Sequence, residues 1–179
     1  MELSSIVYRI VLFLLIATTV FAILPPSGRW RPLIFAKDKK RFVGVGLLFI
    51  KDNTILLVYR DKSEINYNKH GLVGGLAEKW ESVEDAAIRE AHEEVGVVIK
   101  KGDLQLVHCM SSQENGTEVV GFYFVVKNWT GEPYNAVPDT HQYIGWFPVD
   151  QLPANLIERN RIAIESMKKG IFYSEYGYK

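Results

Sequence analysis

Glu90, Glu93 and Glu94 stand at offsets of three and four residues, so on a helix their carboxylates share one face. Like charges so placed repel by roughly 0.2–0.5 kcal/mol per pair even in water. A helix C-terminus adds to the conflict, because its dipole disfavours anions by about 0.3–1 kcal/mol each. A hard divalent cation resolves it, since clustered carboxylate oxygens are the ligands Mg²⁺ prefers. Arg89 brings further positive charge, and its guanidinium suits a clamp on an acidic partner such as Glu81 in the preceding loop. Gly74 and Gly75 let the backbone approach a metal or a phosphate with no Cβ in the way. Three acids alone fit a solvated helix end better than a metal site. The glycine pair, Glu81 and Arg89 in the same register turn the balance toward chemistry.

These residues need a helix and a sheet to hold them. Ser82 and Asp85 form an S-x-x-D capping box, and Gly96 suits the position past the last turn, which predicts a helix over Ser82–Val95. Its other face carries Val83, Ala86, Ala87, Ala91 and Val95, side chains that let it lie close against a sheet. Phe42–Ile50 and Thr54–Tyr59 are β-prone runs separated by Lys51-Asp52-Asn53, a hairpin signal. Leu104–Met110, Val119–Val126 and Tyr143–Val149 read as further strands, with a helix from about Asn155 to Lys169 after them. Strands that enclose helices in this order predict an α/β sandwich around a mixed sheet.

From Gly75 onward the spacing G-x5-E-x7-R-E-A-x-E-E-x-G-V resembles the complete signature of the Nudix hydrolases, and the likeness extends over roughly residues 42–170. It is nearest to the MutT-like nucleoside triphosphate pyrophosphohydrolases. The resemblance implies an α/β/α sandwich that binds Mg²⁺ or Mn²⁺ on the loop and helix of the signature. Carried onto this chain, Glu93 and Glu94 would be metal ligands, with the Gly74 carbonyl as a further one. Glu90 would be a ligand or the base that activates water, and Glu81 and Arg89 would orient these acids. Water would attack a phosphorus of the substrate and release pyrophosphate or a phosphate ester. The chain departs from the pattern in three places. Val73 replaces the usual Pro and Trp80 the usual Gly. Val137 stands where several relatives place another ligand after Gly131-Glu132-Pro133, leaving Glu132 or Asp139 to compensate.

The substrate end is less clearly written. Residues 98–121 lack the Pro and the Tyr that mark ADP-ribose-type and dinucleotide-type relatives, which favours a nucleoside triphosphate, an oxidised purine nucleotide among them. Asn160 could read a base, Phe122 could stack on one, and Gly75 would sit against the phosphates. Phe122, Tyr123, Phe124 and Trp146 equally suit a core, and His70 and His92 read as surface residues. A nucleotide sugar, a dinucleotide, a lipid-linked diphosphate, or binding without turnover are the alternatives.

The charge balance is neutral, with 21 Lys+Arg against 21 Asp+Glu, which argues against binding a nucleic acid polymer. Cys109, the single cysteine, lies in an apolar run as a buried thiol would. Residues 1–24 form a hydrophobic segment in which Arg9 is the sole charge between Ile6 and Leu24. As a helix those residues cover about 28 Å, close to the ~30 Å of a hydrocarbon core. A basic linker, residues 25–41, follows, and residues 42–179 form the catalytic domain. The cationic flank after the apolar run predicts a membrane anchor with the domain on the cytoplasmic side. A cleaved signal peptide, or a start codon placed too far upstream ahead of a soluble protein, are the competing origins of this run. Nothing in the sequence fixes the oligomeric state.

Overall fold

The computed structural model describes residues 41–60, 66–114 and 116–178. The hydrophobic segment 1–24 and almost all of the basic linker lie outside the described residues. Among the described residues no helix is long and apolar enough to cross a membrane.

Among the described residues seven strands and two helices follow in the order β1 (Arg41–Lys51), β2 (Thr54–Arg60), β3 (Lys69–Gly71), α1 (Val83–Val95), β4 (Leu104–Glu114), β5 (Thr117–Val126), β6 (His141–Pro148), α2 (Glu158–Lys169) and β7 (Tyr173–Tyr176). A 3₁₀ turn, Lys101–Asp103, leads into β4. The sheet runs β3-β2-β1-β5-β4-β7, with β6 pairing β2. β1 is parallel to β5 from Arg41↔Glu118 to Phe49↔Val126, and β4 is parallel to β7; the other pairings are antiparallel. The sheet is therefore mixed, and the helices cover its two faces as the expected α/β/α sandwich.

The β1–β2 turn forms where the sequence places it. Asp52 and Asn53 have φ of 50° and 57°, the two positive values that a tight two-residue hairpin requires. The hairpin closes over two residue pairs only, Ile50↔Ile55 and Lys51↔Thr54. Beyond them β1 turns to β5, and β2 pairs with β6 along its whole length. The long apolar run of β1 is explained by this central place, because it is covered on both faces.

Val45, Leu47 and Phe49 pack under α1 with Ala86, Ala87, Ala91 and Val95. Leu48 packs on the α2 side with Leu57, Met110, Tyr123 and Ile164. The α1 caps are those the sequence predicts: Ser82 Oγ accepts the Asp85 N–H, and Gly96 closes the helix at φ 69°.

Four features differ from the sequence reading. Helix α2 begins at Glu158 rather than near Asn155, because the backbone of residues 155–157 is used elsewhere. His70 N–H donates to the Asn155 carbonyl, and the His70 carbonyl accepts from Ile157 N–H. His70 is buried, not a surface residue. Its ring nitrogens engage Asn155 Oδ1 at 2.7 Å and the Tyr143 hydroxyl at 2.9 Å, which satisfies the imidazole inside the fold. Cys109 is only half-buried, although burial still pushes its thiol pKa up, against a role as nucleophile. Strands β3 and β7, three and four residues long, are too short to show a period in sequence.

Candidate functional site

The loop between β3 and α1 crosses the start of β1 before it reaches the helix. The Val73 carbonyl accepts Leu47 N–H at 2.8 Å and the Gly75 carbonyl accepts Val45 N–H at 2.9 Å. Among the described residues no hydrogen bond uses the Gly74 carbonyl between them, so it is free to serve as a ligand. Gly74 has φ 141°, and a Cβ there would collide with the Val45 carbonyl, so this position admits only glycine. Val73, which stands in for the usual Pro, is fully buried under α1. Trp80, in place of the usual Gly, adopts φ 69°. The loop thus keeps a conformation that glycine would adopt without strain.

Arg89 organises the acids. Its Nε and Nη2 donate to the two oxygens of Glu81 at 2.9 and 3.0 Å. Its Nη1 reaches Glu90 at 2.8 Å and Glu93 at 2.9 Å, and Nη2 also caps the Leu76 carbonyl at 3.0 Å. These bonds hold Glu81 below the usual carboxylate range and raise the pKa of Arg89. Glu81 is fixed a second time by the Glu78 N–H.

Glu90 and Glu94 are in the opposite condition. Both are largely buried, and desolvation is the main cause that raises their pKa values. Glu94 is pushed to about 7, despite accepting the Gly74 N–H at 2.9 Å. Two buried carboxylates whose anions are disfavoured form a set that a cation would stabilise. Glu93, with its side chain 54% exposed, lies at the rim. As the side chains stand, no three acidic or imidazole groups among the described residues converge closely enough to hold a metal. Arg89 occupies Glu90 and Glu93 instead. The donor set fits a hard cation in kind, with the free Gly74 carbonyl and the three carboxylates as oxygen ligands and the exposed Glu93 able to swing.

Two residues at this site were missed in the sequence. Arg60 ends β2, and its buried Nε has no hydrogen-bond partner. Desolvation lowers its pKa, and the charges of Glu94 and Glu90 oppose that shift. His141 begins β6 with Nε2 3.5 Å from Glu94 Oε1, and burial holds its pKa at about 4, so the ring is neutral. A lone arginine closing an apolar strand was the available cue for the first; no local pattern marks the second. Asn160 is buried on α2, and a Cβ built on Gly71 would lie 3.5 Å from its Nδ2 and 3.4 Å from Arg60 Nε. It therefore belongs beside Arg60. Phe122 packs with the cluster under α1, on the opposite face of the sheet from α2. Glu132 and Asp139 are exposed, while the segment they flank docks on the end of α1 through Tyr134 N–H to Val95 and Ala136 N–H to Glu94.

The model of the NUDIX domain family matches residues 40–167. The chain belongs to the Nudix family. Among solved structures, a MutT NUDIX hydrolase from Burkholderia pseudomallei is 33% identical with a TM-score of 0.66, over 70% of this chain and 97% of that one. An ADP-ribose pyrophosphatase of Methanocaldococcus jannaschii is 26% identical over 145 residues, 77% of this chain and 84% of the relative. An 8-oxo-dGTP diphosphatase of Escherichia coli is 28% identical over 96 residues, 54% and 73% of the two chains. This Nudix chain is thus a hydrolase of a family that acts on small nucleotides and generally uses divalent cations, typically Mg²⁺.

Gly75 lies directly against the Glu90 carboxylate. A Cβ there would sit inside van der Waals contact with all three atoms of the Glu90 carboxylate group. Gly75→Ala is expected to displace Glu90 and lower turnover about 10–100-fold. Overpacking of this kind costs about 1–3 kcal/mol in stability, so the domain should stay folded in thermal melts while initial rates fall.

Proposed function

We propose that the chain hydrolyses a phosphoanhydride bond of a nucleoside triphosphate, an oxidised purine nucleotide among the candidates, giving a nucleoside monophosphate and pyrophosphate. The observation that carries this reading is the pairing of opposite needs at one place. Among the described residues buried Glu94 bonds to no charged cation, and the neighbouring Arg60 has a buried Nε with no hydrogen-bond partner. Glu90, Glu93, Glu94 and the Gly74 carbonyl would hold Mg²⁺ or Mn²⁺, which when bound neutralises phosphate charge and lowers the pKa of an attacking water. Glu90 or Glu94, each made more basic by burial, takes the proton of that water. Arg60 meets a phosphate oxygen, Asn160 contacts the substrate beside it, and Gly75 leaves room for the phosphates. Arg89 and Glu81 position the acids. Phe122, packed under α1, would act through the shape of the site.

A second reading is a nucleotide sugar of the ADP-ribose type, favoured by the archaeal relative, whose match covers more of this chain than the E. coli one. We further read residues 1–24 as a membrane anchor, residues 25–41 as its basic linker and the domain from residue 42 as cytoplasmic, from the apolar run and its cationic flank.

The test is formation of nucleoside monophosphate, with pyrophosphate release measured beside it, by the full chain with Mg²⁺ over ordinary and oxidised nucleoside triphosphates, ADP-ribose and dinucleotides. Preferential pyrophosphate release from one triphosphate supports the first reading. Turnover confined to ADP-ribose supports the second, and turnover of nothing rejects both. In the same assay Arg60→Met is expected to raise KM about 10–100-fold, the worth of one charge-assisted hydrogen bond, with a smaller effect on kcat.

A further inference from the structure

Trp80 is 93% exposed and holds its backbone in the left-handed region at φ 69°, a conformation that L side chains other than Asn and Asp rarely adopt. The fold therefore spends strain to present an indole that it does not bury. Lys79 Nζ lies 5.5 Å from the ring centroid. The same loop carries Leu76, 48% exposed, and pairs with the start of β1 through a Gly44↔Leu76 bridge and Ala77 N–H to the Val43 carbonyl. Phe42 and Val43, at 40% and 37%, are exposed on that strand end. Of the nearby acids, Glu81 pairs with Arg89, Asp85 with Lys101 and Glu118 with Arg41, while Glu78 is exposed on the same loop beside Lys79.

What covers this face is indicated by the chain that leads into it. β1 starts at Arg41, the last residue of the stretch holding Arg29, Arg31, Lys37, Lys39 and Lys40, and the apolar run Ile6–Leu24 precedes that stretch. The 17 residues of the linker span at most about 60 Å when extended, so the face stays within reach of whatever the apolar run enters. Tryptophan and lysine are the side chains that settle at the headgroup level of a bilayer, and basic segments are drawn to anionic lipid. We propose that Trp80, Lys79, Leu76 and Phe42 form a face that rests on the headgroup region of an anionic phospholipid bilayer. The proposal rests on the membrane-anchor reading of residues 6–24.

The test uses the full chain carrying Trp30→Phe, which removes the linker tryptophan, in vesicles of phosphatidylcholine and phosphatidylglycerol brominated close to the headgroup. We expect flotation with the vesicles and a loss of tryptophan emission relative to unbrominated lipid. Adding Trp80→Gly should abolish that loss, while flotation and kcat on a soluble nucleotide stay unchanged and thermal stability holds or rises as φ 69° is relieved. Flotation with equal quenching in both proteins, or with none, overturns the docking face and leaves the anchor standing. Failure to float overturns both. A blue-shifted Trp80 emission without vesicles also overturns it. Concentration dependence of that shift would then assign the face to a second copy of the chain, and its absence to the chain's own N-terminal segment.

Discussion

Glu94→Gln is expected to lower turnover about 10²–10⁴-fold while making the metal-free domain more stable at pH 8. The reasoning starts from burial: the Glu94 carboxyl is held at about 7 against an ordinary value of 4.5, mainly by desolvation. At about 1.4 kcal/mol per pH unit this corresponds to roughly 3 kcal/mol against the ionised form. A group whose folded pKa is raised binds more protons in the folded than in the unfolded state between pH 4.5 and 7. Stability therefore falls as pH rises through that window, and the full penalty applies above it. Glutamine has no such penalty, and its amide oxygen can still accept the Gly74 N–H. The sign at His141 is the reverse. Its pKa is depressed to about 4 from 6.5, so its contribution is complete above pH 6.5 and is lost as pH falls toward 4. In the unmodified chain the two slopes oppose each other between pH 4.5 and 6.5. Glu94→Gln removes one of them, so between pH 4.5 and 6.5 its stability should rise more, or fall less, with pH than that of the unmodified chain. Urea denaturation in EDTA across this range checks both signs. Loss of stability at pH 8 in Glu94→Gln would show that the carboxylate is already compensated without metal. With Mg²⁺ present, the unmodified chain should recover stability that Glu94→Gln cannot, and its rate advantage should be about 10²–10⁴-fold.

The parts of this site that were legible in sequence are those whose relations are local. Glu90, Glu93 and Glu94 lie within five residues, and one helical period places them. Ser82, Asp85 and Gly96 mark the helix ends by chemistry that acts within a turn. Glu81 and Arg89 are eight residues apart, and their bond follows from a cap that fixes where the helix starts. Arg60 and His141 have no such local relation to Glu94. They reach it because β2 pairs with β6 from Thr54↔Pro148 to Arg60↔His141, a register that depends on the whole sheet. His70 was misread for the same reason, since the Asn155 and Tyr143 that satisfy it come from beyond β5. The start of α2 followed an apolar period that continues into residues 155–157, where backbone pairing with His70 overrides it. The strain at Trp80 is likewise a property of the folded loop, although glycine at that place in the family pattern already pointed to a positive φ.

Arg89→Ala should lower activity as well but act on stability with the opposite sign to Glu94→Gln. One guanidinium serves Glu81, Glu90, Glu93 and the Leu76 carbonyl, and no other cation among the described residues bonds to any of these three acids. Its removal leaves Glu90 buried with no counter-charge, and half-buried pairs broken from one side cost on the order of 2–3 kcal/mol, below the figure for a fully buried pair. The loop from Leu76 to Glu81 also loses its tie to the helix, so the Gly74 carbonyl no longer has a fixed relation to Glu90. A fall in kcat of about 10–100-fold is expected, since small displacements of reacting groups are costly. Arg89→Lys should recover little of it, because a single ammonium cannot spread bonds over two carboxylates, a third acid and a carbonyl as a planar fork does. Mg²⁺ provides the separating measurement. Alanine at position 89 leaves the acids one positive charge poorer, so Mg²⁺ should raise the melting temperature of Arg89→Ala more than that of the unmodified chain, without restoring kcat. Equal shifts in the two proteins would mean that Arg89 contributes only as scaffold for the loop. A larger shift with kcat still low would mean that it both balances the charge of these acids and aims them, and that Mg²⁺ can replace it in the first role alone.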